Sequence, residues 1–425
     1  MVYLYIVIII SGIFYTIKRF HRNPSGSLLN PLFYMVILSL FYFIIPLIFL
    51  PFSLKVMDME VSQRTIFKSC FLSFYYTSIF FLFYILSKDR NVRFSCVQFN
   101  NKSIKIAKII NICICILLIY IIIFRVPHIL ALRSSRGVAF GMYNNLIEGP
   151  FKFRLVLLFH LGIISFLFIK FKRYKYFLPL ICYLIIDFSH GGRILSVIVL
   201  LFFYIHFVID RGKSYIKYSF IAIISLIILG VLQRDSSEFQ LMWKIYSSVT
   251  EFCNTYLTTV YLIEHPEYSQ DISSYTVLWI SRCVPGGMVG KMMGIDTWYG
   301  ELLSQEIGQG YGLAGNIISE SLVYGGFYLA LINPILIGFI CYVINNLKGK
   351  DTLAGFWFVM YLCIPIQENF RQYFWGYVLY PVQLVFFWGI WAYPDWFKKI
   401  LMPINKNNYI LDSKEQLLIK KNIKN

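Results

Sequence analysis

Long apolar runs, separated by short polar loops, recur along almost the whole chain. About eleven runs are long enough, or nearly long enough, to cross a membrane as helices. They lie at about residues 2–17, 30–50, 65–87, 106–124, 155–171, 177–189, 194–209, 219–232, 321–345, 355–367 and 373–393. The sixth and eighth are short for a full crossing, so the number of spans is open by one or two. Because the runs are continuous rather than alternating, the pattern predicts an all-α, polytopic membrane helical bundle.

Basic residues in alternate loops predict how these helices are oriented. Clusters of lysine and arginine follow the first, third, fifth, seventh and ninth runs, and a lysine-rich tail follows the eleventh. Positive charge concentrates in the cytoplasmic loops of membrane proteins. We therefore expect an outer N-terminus and a cytoplasmic C-terminus. The first run has no small-residue cleavage site and is followed by a basic loop, so we expect a retained helix rather than a signal peptide.

The loops divide the chain into four parts. Residues 1–232 form an N-terminal membrane bundle of about eight spans that includes a long external loop, residues 125–154. Residues 233–320 form a large external loop, residues 321–393 form the C-terminal spans, and residues 394–425 form a cytoplasmic tail. Within the large loop, residues 239–262 carry apolar side chains at helical spacing, interrupted by Lys244 and Glu251. This pattern favours an amphipathic helix lying on the membrane.

Composition agrees with the membrane prediction and excludes other classes. The chain is 58% hydrophobic and 14% charged, outside the range of soluble domains. Its net charge of +18 comes mostly from predicted cytoplasmic lysines, which would contact anionic lipid headgroups. These basic residues are scattered over loops, so we expect no nucleic-acid partner. The sequence contains no recognisable metal or nucleotide motif, so we expect no metal and no cofactor.

Arginine is distributed differently from lysine. Of the 15 arginines, nine lie in predicted outer loops, whereas only five of the 24 lysines do. Topology requires positive charge but does not distinguish the two residues. The planar guanidinium group binds phosphate through two parallel hydrogen bonds and is easily dehydrated. The asymmetry therefore predicts an anionic, phosphate-bearing substrate at the outer face.

Five outer arginines are candidate ligands for a pyrophosphate. Arg193 follows His190 and two glycines in a nearly loopless hairpin, where a charge lies at or below the membrane surface. The other four are Arg133, Arg136, Arg282 and Arg371. Each also has a structural interpretation, such as a snorkelling side chain, a solvated loop or an ion pair. Because several external loops carry them, we expect them to converge on one pocket.

The catalytic base is less clearly indicated. Glycosyl transfer requires a base for the acceptor hydroxyl and charge stabilisation for the leaving phosphate. Glu320 and Glu301 precede the ninth run, and His190 adjoins the predicted phosphate site. Glu320 could equally be a helix-start residue favoured by the helix dipole. We expect His160 and His206, which lie within apolar runs, to be packed polar residues.

Together these features resemble a bacterial O-antigen polymerase, an oligosaccharide repeat-unit polymerase. The resemblance is carried by the Gly-Gly-Arg hairpin at 191–193, the large external loop late in the chain, and residues 311–326. The last segment reads YGLAGNIISESLVYGG and combines small residues, a glutamate and a glycine pair. O-antigen ligases carry a looser version of it with a His-Asn pair, of which this chain has only Asn316.

The resemblance implies a multi-pass enzyme of the bacterial inner membrane with a C-type glycosyltransferase-like architecture, a large periplasmic loop, a periplasmic N-terminus and a cytoplasmic C-terminus. Such an enzyme transfers the growing chain from undecaprenyl pyrophosphate onto a new lipid-linked repeat unit, without a metal. The implied partners are undecaprenyl-pyrophosphate-linked oligosaccharides, membrane lipid and a possible chain-length regulator. Two alternatives stay open: a lipid-linked oligosaccharide flippase, which would place cationic groups in a central cavity, and an O-antigen ligase.

Overall fold

The structure is a computed structural model that describes residues 2–47, 61–89, 101–136, 153–189, 194–211, 241–269, 315–346 and 353–371. Within these ranges the protein is 92% helical and contains no strand, which confirms the predicted all-α class. In chain order the helices are α1 (Val2–Arg22), α2 (Pro24–Leu28), α3 (Pro31–Ser39), α4 (Gln63–Leu86), α5 (Asn101–Phe124), α6 (Val126–Arg136), α7 (Phe153–Phe171), α8 (Leu178–Ser189), α9 (Ile194–Arg211), α10 (Leu241–Glu264), α11 (Ile317–Asn346), α12 (Leu353–Cys363) and α13 (Ile366–Arg371).

Three segments in the described part are long and apolar enough to cross a membrane. They are Gln63–Leu86, Ser103–Ala131 and Ile317–Asn346, and two shorter apolar helices occupy Pro31–Leu47 and Val156–Phe171. The protein therefore has the helices of a membrane protein. Of the predicted runs, 219–232 and 373–393 lie outside the described residues, as do most of the large loop and the tail. The number of spans stays a prediction.

A partly buried ion pair ties α1 to the end of α4. Arg19 Nε donates to Asp89 Oδ2 at 2.7 Å, and Arg19 Nη2 donates to Asp89 Oδ1 at 3.0 Å. Ser27 and Asn30 donate to the same carboxylate at 2.8 and 2.9 Å. This bidentate geometry, closed by further donors, is the arrangement that makes a buried pair favourable.

The C-terminal ends of several helices gather at this side of the bundle. Asn345, near the end of α11, donates to the carbonyl of Lys88 at 3.0 Å, just beyond α4. The C-terminal ends of α1, α4 and α11 therefore lie at one end. A separate cluster joins the ends of α7 and α9, where Tyr174 donates to Asp210 at 2.6 Å and Lys172 lies 3.7 Å from Asp210.

Helix α10 packs lengthwise along α4. Its Glu264 accepts a hydrogen bond from Ser62 at 3.1 Å, and Tyr256 is hydrogen-bonded to Ser73 at 2.7 Å. The earlier contact along α4 is made to the later residue of α10, and the later contact to the earlier residue, so the two helices are antiparallel. Tyr256 and Val260 are fully buried, as their helical spacing predicted. The expectation of a helix lying on the membrane surface is wrong for this part of α10, because its polar residues are satisfied inside the bundle.

Helix α3 continues into a π-helical turn, Leu40–Ile44. Such turns are uncommon inside helices and often occur at functional sites. The turn presents Tyr42 and Phe43, whose rings pack against Phe370 of α13 at centroid distances of 5.6 and 5.0 Å. Phe43 also packs edge-on against Tyr76 of α4 at 5.9 Å. The turn therefore connects the short helix α13 to the core.

Candidate active site

The first turn of α11 is capped from within and anchored to α10. Asn316 Oδ1 accepts from the amides of Ile318 and Ser319 at 2.9 and 3.2 Å, and Ser319 Oγ accepts from the Asn316 amide at 2.7 Å. This reciprocal pair is a capping box with serine in place of glutamate. Asn316 also donates to the Thr255 carbonyl and accepts from Thr259, each at 3.2 Å. The start of α11 is therefore fixed inside the bundle.

Helix α11 is not one straight helix. In a straight helix, Ser321 and Asn333 would stand about 18 Å apart, at 1.5 Å per residue. Instead, Asn333 Nδ2 donates to Ser321 Oγ at 2.6 Å. The chain must therefore reverse between them, so that a short arm, 317–324, lies against a long arm that begins at 327. The predicted ninth span, 321–345, accordingly began inside the short arm, because hydropathy does not register a change of direction.

Two glycines make the reversal. Gly325 has φ −178° and ψ 16°, and Gly326 has φ 60° and ψ −156°. The second combination is accessible essentially only to glycine. Just beside it, Ser269 Oγ donates to the Val323 carbonyl at 3.5 Å, at the end of the short arm. A break at membrane depth is tolerated where protein surrounds it.

The short arm carries Glu320 in a fully enclosed position. All eight of its residues are buried, and Glu320 itself is 1% exposed. Glu320 lies five residues before Gly325, about 7.5 Å along the helix axis. The hydroxyl of Tyr76 is near enough for the two groups to interact electrostatically. The capping hydrogen bonds come from Asn316 and Ser319, and Glu320 is the acidic residue of the first turn of α11.

Helix α13 is linked to this arm through aromatic rings and the Tyr76 hydroxyl. Its backbone contacts both α11 and α3. Phe370 is fully buried and reaches Tyr76 through Phe43, and Gln367 donates to the Tyr42 hydroxyl at 3.4 Å. Arg371 is the last residue of α13. One predicted phosphate ligand thus belongs to a helix that is connected to Ser321, the neighbour of one predicted base, through Phe43 and Tyr76.

The remaining predicted residues divide into two groups. Arg133 and Arg136 lie in α6, one helical turn apart. Their side chains are not among those that the structure describes. Glu301, His190, Arg193 and Arg282 lie outside the described residues altogether. Convergence of the arginines on one pocket therefore stays a prediction.

Asp187 is a buried carboxylate that the sequence reasoning missed. It is 1% exposed, and its Oδ2 accepts from both the amide and the hydroxyl of Ser196, at 2.7 and 2.6 Å. Ser196 is in the first turn of α9, so Asp187 caps that helix from α8. The Gly-Gly-Arg hairpin lies between the two residues in sequence. The signal was present, because an acid inside an apolar run is a functional candidate by default.

Two buried histidines are packed polar residues, as expected. His160 is hydrogen-bonded through Nδ1 to Tyr183 at 3.1 Å and through Nε2 to Asn111 at 2.9 Å. His206 is enclosed by aromatic rings, with the Phe202 centroid at 4.6 Å. Among the residues that the structure covers, no group of three His, Cys, Asp or Glu side chains is placed to hold a metal ion.

Comparison with known proteins adds no further identification. No protein-family model, no curated protein and no solved structure matches this chain.

Proposed function

We propose that the protein is a membrane glycosyltransferase that polymerises lipid-pyrophosphate-linked oligosaccharide repeat units at the outer face of the bacterial inner membrane. The observation that supports this best is Glu320, a carboxylate enclosed on the short arm of α11, and α11 is also contacted by the helix that ends in Arg371. The excess of arginine in predicted outer loops supports a pyrophosphate substrate. The sequence resemblance to repeat-unit polymerases supplies the reaction.

In the proposed reaction, the bond between the anomeric carbon of the growing chain and its pyrophosphate oxygen breaks. A bond forms between that carbon and a hydroxyl oxygen of the incoming repeat unit. Glu320 accepts the hydroxyl proton, and the electron pair of the broken bond remains on undecaprenyl pyrophosphate. Arg193, Arg371 and the other outer arginines stabilise the charge of the leaving group. Glu301 and His190 are the alternative bases.

The first test is deletion of the gene, complementation with variants, and glycan electrophoresis. Glu320→Gln removes the base, and we expect polymer formation to fall about 100-fold or more, leaving single repeats on the lipid A core. Arg193→Lys and Arg371→Lys keep the charge but lose the bidentate fork, and we expect shortened or absent polymer. Protein abundance in the membrane is measured by immunoblot for every variant.

The matched controls are Glu267→Gln and Arg173→Lys. Glu267 is an exposed carboxylate near the end of α10, and Arg173 is an exposed arginine in the loop after α7. Both variants should make full-length polymer. Normal polymer from Glu320→Gln, at normal protein levels, would rule out Glu320 as the base, and normal polymer from both arginine variants would remove the phosphate role.

A flippase for lipid-linked oligosaccharides is the second candidate. Broken helices with enclosed ionisable residues are characteristic of transporters, and α11 has this form. The deletion strain separates the candidates. Loss of a polymerase leaves single repeats on the core, loss of a flippase removes surface repeats altogether, and loss of a ligase leaves lipid-linked polymer that never reaches the core.

A further inference from the structure

We propose that Asn333 is a positioning residue that acts through Ser321 to hold the short arm of α11, and with it Glu320, in place. Asn333 lies on the long arm and is 2% exposed. Its amide reaches across the reversal to Ser321, the immediate neighbour of Glu320. The placement stands on geometry alone, and only its consequence for catalysis rests on the proposed function.

The hydroxyl of Ser321 forms three hydrogen bonds, and the donor of each can be assigned. Its one proton is donated to the Ile317 carbonyl at 2.7 Å. Its two lone pairs are then available for Asn333 Nδ2 at 2.6 Å and Tyr76 at 2.9 Å, so the tyrosine must donate. Every hydrogen-bonding position of Ser321 is filled. Removing the Asn333 donor leaves a buried acceptor short of a partner.

These hydrogen bonds fix how the short arm is rotated about its own helix axis. Adjacent residues on a helix project about 100° apart, so fixing Ser321 from two sides also fixes the direction of Glu320. Tyr76 holds Ser321 from α4, and Asn333 holds it from the long arm. Gly325 and Gly326 cannot supply this control, because glycine leaves the backbone free to rotate. Without Asn333, the short arm keeps its cap at Asn316 but loses a restraint near the reversal.

Asn345 is the matched control for Asn333. It is also a buried asparagine on the long arm, and it donates to the Lys88 carbonyl at the opposite end of the bundle. Its replacement removes the same chemical group from the same helix. A general loss of stability should affect both variants, whereas a change at Glu320 should follow only from Asn333.

The experiment measures access to position 320 without relying on activity. Glu320→Cys is placed in a background whose other cysteines are replaced by alanine, and its reaction with N-ethylmaleimide is timed in detergent. We expect labelling to accelerate at least tenfold when Asn333→Ala is added, and to stay within twofold with Asn345→Ala. Asn333→Gln, which keeps the amide donor, should restore slow labelling. Modification of the natural Glu320 by dicyclohexylcarbodiimide, followed by mass spectrometry, repeats the comparison without the cysteine background.

Turnover is then measured with purified protein and lipid-linked repeat units extracted from the deletion strain. Asn333→Ala should lower kcat at least tenfold and leave KM within twofold. Ser321→Ala, which also removes the bonds to Tyr76 and Ile317, should lower kcat at least as much, and adding Asn333→Ala to it should lower kcat by less than tenfold, because the bond between the two residues is already lost.

The outcomes separate the two proposals. Equal labelling of the Asn333→Ala and Asn345→Ala variants would overturn the positioning role. Selective labelling, together with no polymerisation by the wild-type protein, would uphold the positioning role and overturn the proposed function.

Discussion

Gly326 occupies a region of backbone space that a side chain makes costly. Its φ of 60° and ψ of −156° permit the reversal of α11, and a substitution there should cost about 1–3 kcal/mol in strain. We expect Gly326→Ala to lower the thermal unfolding temperature and to abolish polymer, since the short arm would be displaced. Unfolding is followed by fluorescence in detergent and polymer by electrophoresis.

Gly12→Ala is the control for this substitution. Gly12 lies in α1 with helical neighbours, and an added Cβ would meet the Phe81 ring at an ordinary 3.4 Å. Alanine is the better helix former by about 0.5–1 kcal/mol, so this variant should be unchanged or slightly more stable. If both alanine variants behaved alike, the reversal would not depend on the backbone of Gly326.

The sequence located Glu320 but not its surroundings. A glutamate before an apolar run can be recognised from the sequence alone, and so can the glycine pair that follows it. The partners of its neighbour, Tyr76 and Asn333, are separated from Ser321 by 245 and 12 residues. Only the folded bundle brings them together. Asp187 was not predicted for a related reason. The candidate acids precede an apolar run, whereas Asp187 lies within one.

At the scale of elements, α10 is joined to α4 through the last residue of α10. Hydrogen bonding by Thr65, and then by Ser62, lowers the pKa of Glu264 below its ordinary value, although desolvation opposes this. Because the folded-state pKa is depressed, the associated stability is present at neutral pH and is lost as the pH falls through the folded pKa.

We therefore predict that the unfolding temperature falls between about pH 5 and pH 3, and that Glu264→Gln falls less steeply over this interval. The glutamine side chain of this variant does not titrate, so the variant lacks one proton-linked contribution to the free energy of unfolding. The measurement is a series of thermal melts in detergent from pH 7 to pH 3. Parallel curves for the two proteins would show that the Ser62 and Thr65 contacts do not stabilise the joint.

Helical periodicity predicted α10 correctly and its environment incorrectly. The spacing of Phe252, Tyr256 and Val260 identified the apolar face. The charged residues Lys244 and Glu251 suggested a surface helix, but Thr255 and Thr259 lie within the bundle and contact the cap of α11. Amphipathic patterns show that two faces differ, and they do not show whether the polar face meets water or other polar side chains.

At the scale of the whole molecule, three helices that precede predicted cytoplasmic loops end at the same side of the described bundle. The ends of α1, α4 and α11 meet around Asp89 and Lys88, while Glu264 meets the start of α4 at the other end. The sequence could predict this grouping because charge determines which loops share a side. The choice of side stays a prediction from the same rule.

Cysteine labelling in spheroplasts tests that choice. Single cysteines at Gln63 and Glu267 should react with a membrane-impermeant maleimide in intact spheroplasts. Single cysteines at Arg22 and Arg173 should react only after permeabilisation. All four positions are exposed, so a failure to react reflects the membrane rather than burial. The reverse pattern would place the candidate site on the cytoplasmic side and exclude a periplasmic polymerase.

The enclosure of the short arm of α11 also bears on how the chain is assembled. An eight-residue helix with serine, glutamate and serine in succession is too short and too polar to enter lipid by itself. Asn316 at its start contacts α10 and its Ser321 contacts α4, so the arm can be enclosed only when both helices are in place. Insertion of this arm is therefore a late event in biogenesis, which follows synthesis of the preceding helices and closes the bundle around the carboxylate.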